Sequence, residues 1–411
     1  MTSVNRRRFL EAATGGVGAL AAGVLPAGAA QGAGAPGTAE IVVVGAGAFG
    51  GWTALYLREM GHTVTLIDQY GPGNSRATSG GESRQIRAVY GEREIYTKWV
   101  MQAFDRWQVR ETEWGRKLFF RTGQLSLATE WTKELLETRK VFDRLGIKYD
   151  IVKPDDLARQ YPQMNMNDVG VAMSTPSTGV LKAREGCVAV AHAFEKKGGR
   201  FVIGKVELGT RAGGALQDVA LSTGQRISAQ TFVFACGPWL PKVFPSVMTN
   251  KLATPRRAVF FYGTPPGDER FTYPNFPTWS VDNAYGFPSI EGRGFKVVPT
   301  FERELVDPDT QEHTLTPDEL RKGRAFAAKW FPALARQPLV DSRICQREDS
   351  IDDHFIVQPH PELGNVWLVG GGSGHGYKHG IMLGDYVANR VVGRDKDPEL
   401  AATFALKAAT F

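Results

Sequence analysis

Cysteine is scarce in this 411-residue chain: Cys187, Cys236 and Cys345 are the only three. An odd number excludes a fully paired disulfide framework and leaves at least one thiol unpaired. The sequence has no Lys/Arg cluster interleaved with aromatics, so nucleic-acid binding has no support. It has no internal repeat, and beyond the N-terminal stretch no low-complexity tract. What is present suits a globular protein with a large core: 42% hydrophobic and 22% charged residues, with length for two domains of about 100–200 residues each. The formal charge is +6, of which the first thirty residues supply +2 (Arg6, Arg7 and Arg8 against Glu11), leaving +4 on the body. That mild excess is compatible with anionic small molecules.

The N-terminus, "NRRRFLEAATGGVGALAAGVLPAGAAQ", has a basic start, an Ala/Gly-rich apolar stretch, and small residues at Ala27 and Ala29 suited to signal cleavage. It is too rich in glycine, and too soon broken by Pro26, for a permanent membrane span. Arg6-Arg7-x-Phe9-Leu10 resembles a twin-arginine export signal, a route for folded proteins that acquire a cofactor before export. Residues 1–30 are therefore expected to be a leader and the mature protein to be exported, with no membrane attachment after processing. A general secretory signal and a basic terminus without export function are the alternatives.

From residue 39 the pattern becomes strand, glycine turn, helix, strand: "AEIVVV", "GAGAFG", "GWTALYLREMG", "HTVTLID". "EGCVAVAHAFEKKGGRFVIG" repeats that logic, with Lys196-Lys197 at the negative helix end and Gly198-Gly199 ending it. "ISAQTFVFACGPWL" reads as another buried strand, and "LGNVWLVGGGSGHGYKHGIMLGDYVANRVV" as strand, glycine loop, helix. Cys187 falls on an amphipathic helix and Cys236 on a buried strand, both as small core residues. Residues 38–98, 179–245 and 336–411 are read as one nucleotide-binding domain, and 99–178 with 246–335 as a substrate domain.

Gly45-x-Gly47-x-x-Gly50 separates a strand from a helix, and Asp68 closes the next strand 23 residues after Gly45. Gly45 permits the turn, Gly47 lets backbone approach a pyrophosphate beside Ala48, and Gly50 lets helix and strand pack closely. The helix N-terminus offers free N–H groups to phosphates, and Asp68 can accept from ribose hydroxyls. With all these parts in order the loop marks a dinucleotide site, without deciding between FAD and NAD.

The spacing of Ala54 and Gly61 after Gly50 resembles FAD-binding members of this fold. "GESRQIRAVYGE", "FVFACGPWL" and "GGSGHGYKHG", in that order, resemble the D-amino-acid-oxidase-type flavoproteins, in particular the monomeric sarcosine oxidase, N-methyltryptophan oxidase and fructosyl amino acid oxidase branch. The resemblance implies an α/β fold: a Rossmann-like FAD-binding domain in three segments, plus an α+β substrate domain with a mixed or antiparallel sheet. It places Gly372, Gly374, His375 and Gly376 beside the flavin ring, with Val206 also against the cofactor. Arg87 and Lys378 hold a substrate carboxylate, and Arg84 lies near the flavin. From the residues alone, a salt bridge of Arg87 with Glu92 or Glu94 is the alternative. His375 and His379 have the spacing of a metal pair, but no third ligand follows and no metal is expected.

"AYGFPSIEGRGFKVVPT" resembles the family stretch with an active-site tyrosine and an oxygen-activating lysine, here Tyr285 and Lys296; alternation alone puts Lys296 on an exposed strand face. Thr300 and Arg347 stand where sarcosine oxidase has a histidine and a tyrosine, which makes sarcosine a doubtful substrate. Arg347 either binds a second acidic group or pairs with Glu348, Asp349 or Asp352. Trp279 and Phe260 are read as apolar pocket walls. In this branch a cysteine nine residues before a His-Phe pair is joined to the flavin 8α carbon; Cys345 stands nine before His354-Phe355. The implied reaction oxidises the C–N bond of an amino acid or N-substituted amino acid to an imine, with oxygen reduced to hydrogen peroxide, by a protein expected to be monomeric. A dehydrogenase passing electrons to a quinone or carrier, and a non-catalytic flavin-binding protein, are the alternatives.

Overall fold

The structure, a computed structural model, describes residues 39–281 and 284–411. The leader reading lies outside these residues. The apolar run Ala39–Val44 forms strand β1, the glycine turn leads into helix α1 (Ala48–Glu59), and β2 follows at Val64–Asp68. β1 and β2 pair in parallel. Val42, Val43 and Leu66 are wholly buried, as in parallel sheets covered on both faces. β3 (Arg226–Phe234) adds to the other side of β1, and Val366–Gly370 adds in parallel to β3. Arg200–Ile203 extends the sheet beyond β2. Its parallel strands thus come from three separated stretches of chain, the Rossmann-like arrangement the sequence resemblance implied.

Helix α2 (Gly376–Val391) packs on α1 through glycines. A Cβ at Gly384 would lie 2.4 Å from Trp52 Cβ, and one at Gly380 2.7 Å from the Ala48 carbonyl oxygen. A Cβ at Gly376 would meet the Phe49 ring at 2.7 Å. Lacking these side chains, the two helices approach closely and set their first turns side by side. Two positive helix ends therefore occupy one place in the fold.

The second large sheet is built around β4 (Arg256–Tyr262), β5 (Ala284–Phe287), β6 (Phe295–Val298) and β7 (Leu339–Gln346), in the antiparallel order β7, β4, β6, β5. Thr278–Val281 continues it and pairs in parallel with Gln124–Ala128, so the sheet is mixed. Side chains alternate between its faces. Phe260, Trp279, Phe295 and Val297 pack with Trp330 and Phe331 on one face. Val259, Phe261, Val298 and Cys345 lie together on the other, with Tyr285 against them. Register opposes Phe261 to Lys296 and Arg257 to Cys345, which brings a lysine, an arginine and a thiol to that second face.

Candidate active site

A cavity of about 720 Å³ is walled by the Gly45 turn, the glycine loop before α2 and the second face of the mixed sheet. At the turn, Gly45 has φ +105°, and a Cβ there would lie 2.2 Å from the Ala235 carbonyl oxygen. Gly50 lies off the cavity wall: its Cβ would strike the Gly45 carbonyl oxygen at 2.0 Å, so it closes the helix onto the strand. Gly47 and Ala48 face the cavity. Asp68 braces this turn: one oxygen accepts from Ala46 N (2.7 Å), the other from Tyr70 N (2.9 Å) and Gly71 N (2.8 Å). Burial nevertheless raises its pKa above the usual carboxylate value. Two carboxylate oxygens have about four acceptor positions, so three bonds leave one for a ribose hydroxyl. Val206, Trp239 and Lys242 also line the cavity.

The glycine loop supplies Gly372, Gly374, His375, Gly376 and Lys378 to the same cavity. Lys378 Nζ donates to Tyr90 Oη (3.0 Å) and to the His375 carbonyl (3.2 Å). Arg87 lies over the same Tyr90 ring at 5.0 Å, and its nearest carboxylate, Glu134, is 4.0 Å away. Burial, with the Arg87 and Arg84 charges adding, holds Lys378 well below the usual lysine value. A buried lysine and a half-buried arginine meeting at one tyrosine on a cavity wall suit an anion. His375 and His379 are occupied otherwise: His375 stacks on Phe355, and His379 Nε2 meets Tyr90 Oη at 2.8 Å. Among the described residues no group of three or more His, Cys, Asp or Glu could hold a metal.

Cys345 and Tyr285 are on the wall contributed by the mixed sheet. All three cysteines are free. Burial pushes the Cys345 thiol up, but Arg343, Arg84 and Lys296 outweigh it and hold the thiol below its usual value. Arg84 Nη2 donates to its sulfur at 3.7 Å. Cys187, where Asp68 opposes the weaker effect of Arg84, is pushed up to about 11, chiefly by burial. Cys236 is not in a strand: β3 ends at Phe234, and Cys236 sits half-buried in the following turn, on the cavity wall.

Three sequence readings change in position. Lys296 is buried rather than on an exposed strand face, yet it is not on the cavity wall; its Nζ donates to the Ser83 carbonyl (2.7 Å) and Oγ (3.3 Å). Arg347 lines the cavity and at the same time bonds Asp349 Oδ1 from Nε (3.0 Å) and Nη2 (2.8 Å). Trp279 and Phe260 are core residues on the far face of the sheet and do not line the cavity, because alternation shows which residues share a face but not which face meets a ligand. The sequence reading missed Arg257 and Glu348, both on the wall. The alternation Arg257, Val259, Phe261 was the available signal for the first.

A Rossmann-type sheet whose glycine turn opens onto a cavity shared with a mixed sheet defines a dinucleotide-binding fold. Residues 40–390 match the family model described as DAO, FAD dependent oxidoreductase, and the chain belongs to that family. It is 26% identical over 360 residues to monomeric sarcosine oxidase from Bacillus sp. (strain B-0618), covering 85% of this chain and 91% of that one. It is 24% identical over 357 residues to N-methyl-L-tryptophan oxidase from Yersinia pestis (strain Pestoides F), covering 85% and 94%. The fold is shared with L-proline dehydrogenase from P. horikoshii, at TM-score 0.78 and 19% identity over 90% of this chain and 97% of that one. The site suits FAD: Gly45, Gly47, Gly372, Gly374 and Gly376 line it, two helix ends meet there, and Glu348 presents a buried oxygen without a partner among the described residues.

Proposed function

We propose that this protein is an exported oxidase that takes the C–N bond of an amino acid or N-substituted amino acid to an imine and passes the electrons to oxygen, giving hydrogen peroxide. The observation that carries this reading is that Arg87 and Lys378 meet at Tyr90 on the wall of the cavity, where a carboxylate would find both. When bound, FAD supplies the two-electron acceptor. The chain's own residues bind and orient. Arg87 and Lys378 grip the carboxylate, Arg87 with a fork that holds both oxygens. Tyr285 bounds the same space from the sheet. No side-chain base is needed, since the amine has only to lose its ammonium proton, and positioning provides most of the rate. The sarcosine and N-methyltryptophan oxidases among its relatives support the substrate class.

Arg87→Ala should raise KM for the amino acid roughly ten- to a hundredfold, the worth of one charged hydrogen-bonding group, with kcat and flavin content much less affected. Steady-state kinetics on a panel of N-methyl amino acids, read by peroxide release, test this; an unchanged KM would remove the carboxylate role. The export half of the proposal rests on Arg6-Arg7. Lys at both positions should leave the protein inside the cell, and undiminished secretion in a cell fractionation would refute that half.

A further inference from the structure

Glu348 lies directly after the cation that pairs with Asp349, yet it takes no part in that pair. Its side chain is on the cavity wall and its residue is only 5% exposed. Oε1 accepts from Gly372 N at 3.1 Å, and the Glu348 carbonyl accepts from Ser373 N at 2.7 Å, so the residue is fixed to the glycine loop. Oε2 is shut off from solvent and has no partner among the described residues. Glycine surrounds the carboxyl: a Cβ at Gly237 or Gly370 would lie 3.6 Å from Oε2, and one at Gly372 3.3 Å from Oε1. A buried acceptor without a partner costs about 1–3 kcal/mol, and more if charged.

Among the described residues, the charged and titratable groups around it give it no cation partner. From its own segment comes Asp349, already committed to Arg347 and 3.9 Å from Arg303. From the turn after β3 comes the Cys236 thiol, whose own pKa the Glu348 charge helps to raise. The glycine loop adds His375, which burial holds well below the usual histidine value, and α1 adds the apolar Phe49 ring on the other side of Gly372. Burial, with Asp349 adding and the Gly372 N–H opposing, raises the Glu348 pKa to about 8.

We propose that Glu348 remains a carboxylic acid when FAD is bound and donates its Oε2 hydrogen to an acceptor of that cofactor, so that its proton is coupled to the flavin's affinity for electrons. This rests on FAD binding, not on which amine is oxidised. Reduction brings negative charge to the flavin, which an ionised Glu348 would oppose. The sign follows: below the Glu348 pKa the acid favours reduction, and as pH rises through it reduction becomes harder.

The test is an anaerobic redox titration of the holoenzyme, followed by its visible spectrum, at a series of pH values on both sides of 8. The wild type should show a break in the slope of midpoint potential against pH near that value. Glu348→Gln keeps an acceptor for Gly372 N and a donor toward the cavity but cannot titrate; it should bind FAD and lose the break. Glu348→Ala should lose the break and also hold FAD less tightly in dilution. The same break in wild type and Glu348→Gln, or no break in the wild type, would overturn the proposal. A residue that only anchored the loop would leave the pH profile of the potential unchanged in Glu348→Gln.

Discussion

Acid precipitation of Cys345→Ser should give a colourless pellet and a yellow supernatant, whereas the wild-type pellet should stay yellow. The reason is the electrostatics around one sulfur. A thiol must be a thiolate to attack carbon, and burial by itself works against that. Cys345 is as buried as Cys187, but Arg84 touches its sulfur and Arg343 and Lys296 add their charges, so only Cys345 is held below its usual value. It also lines the cavity that suits FAD, on the sheet face opposite the glycine loop's contribution. With FAD held there, a C–S bond to Cys345 would replace a flavin C–H bond, the proton leaving to solvent and two electrons passing to oxygen. Serine keeps the size but not the nucleophilicity, so the loss of attachment should be complete while FAD can still bind. Arg84→Ala should slow attachment without removing the sulfur. Free flavin in the wild-type supernatant would end the covalent reading.

The dinucleotide half of this site was legible because its signals are local. Gly45, Gly47 and Gly50 stand between two apolar runs, and Gly50 acts on Gly45 within the same turn. The apolar runs that became β3 and Val366–Gly370 could be found for the same reason, although their pairing with β1 could not. The mixed sheet was less readable, since its faces are set by pairings between residues as distant as Arg257 and Cys345. Trp279 and Phe260 looked like a ligand boundary because they are large and apolar, and that is equally what a core selects. Glu348 was hidden in an acidic run, where any of three carboxylates was a plausible partner for Arg347. Only the fold shows that Asp349 takes the arginine and leaves Glu348 buried without one.

Lys296→Met should slow reoxidation by oxygen on the order of a hundred- to a thousandfold, the cost of removing one group placed where charge develops, with the reductive half-reaction nearly unchanged. The structure adds a physical condition to this expectation. Lys296 is buried, lies over the Phe287 ring at 4.6 Å, and makes its hydrogen bonds to Ser83. Burial, then the Arg84 charge, holds its amine well below the usual lysine value, while Cys345 pulls the other way. Negative charge on a reduced cofactor held beside it would oppose that lowering and favour the ammonium form. Methionine matches the aliphatic stem in length and can fill the apolar surroundings, so the fold should survive the change. Reoxidation in the wild type should also fall as pH rises through the lysine's value in the reduced enzyme, because the proton is then lost, and Lys296→Met should show no such fall. Stopped-flow mixing of the reduced protein with oxygen measures both. Equal slowing of reduction and reoxidation would assign Lys296 to the packing of the sheet rather than to oxygen. A selective loss in reoxidation alone would distinguish an oxidase from a dehydrogenase on the same fold.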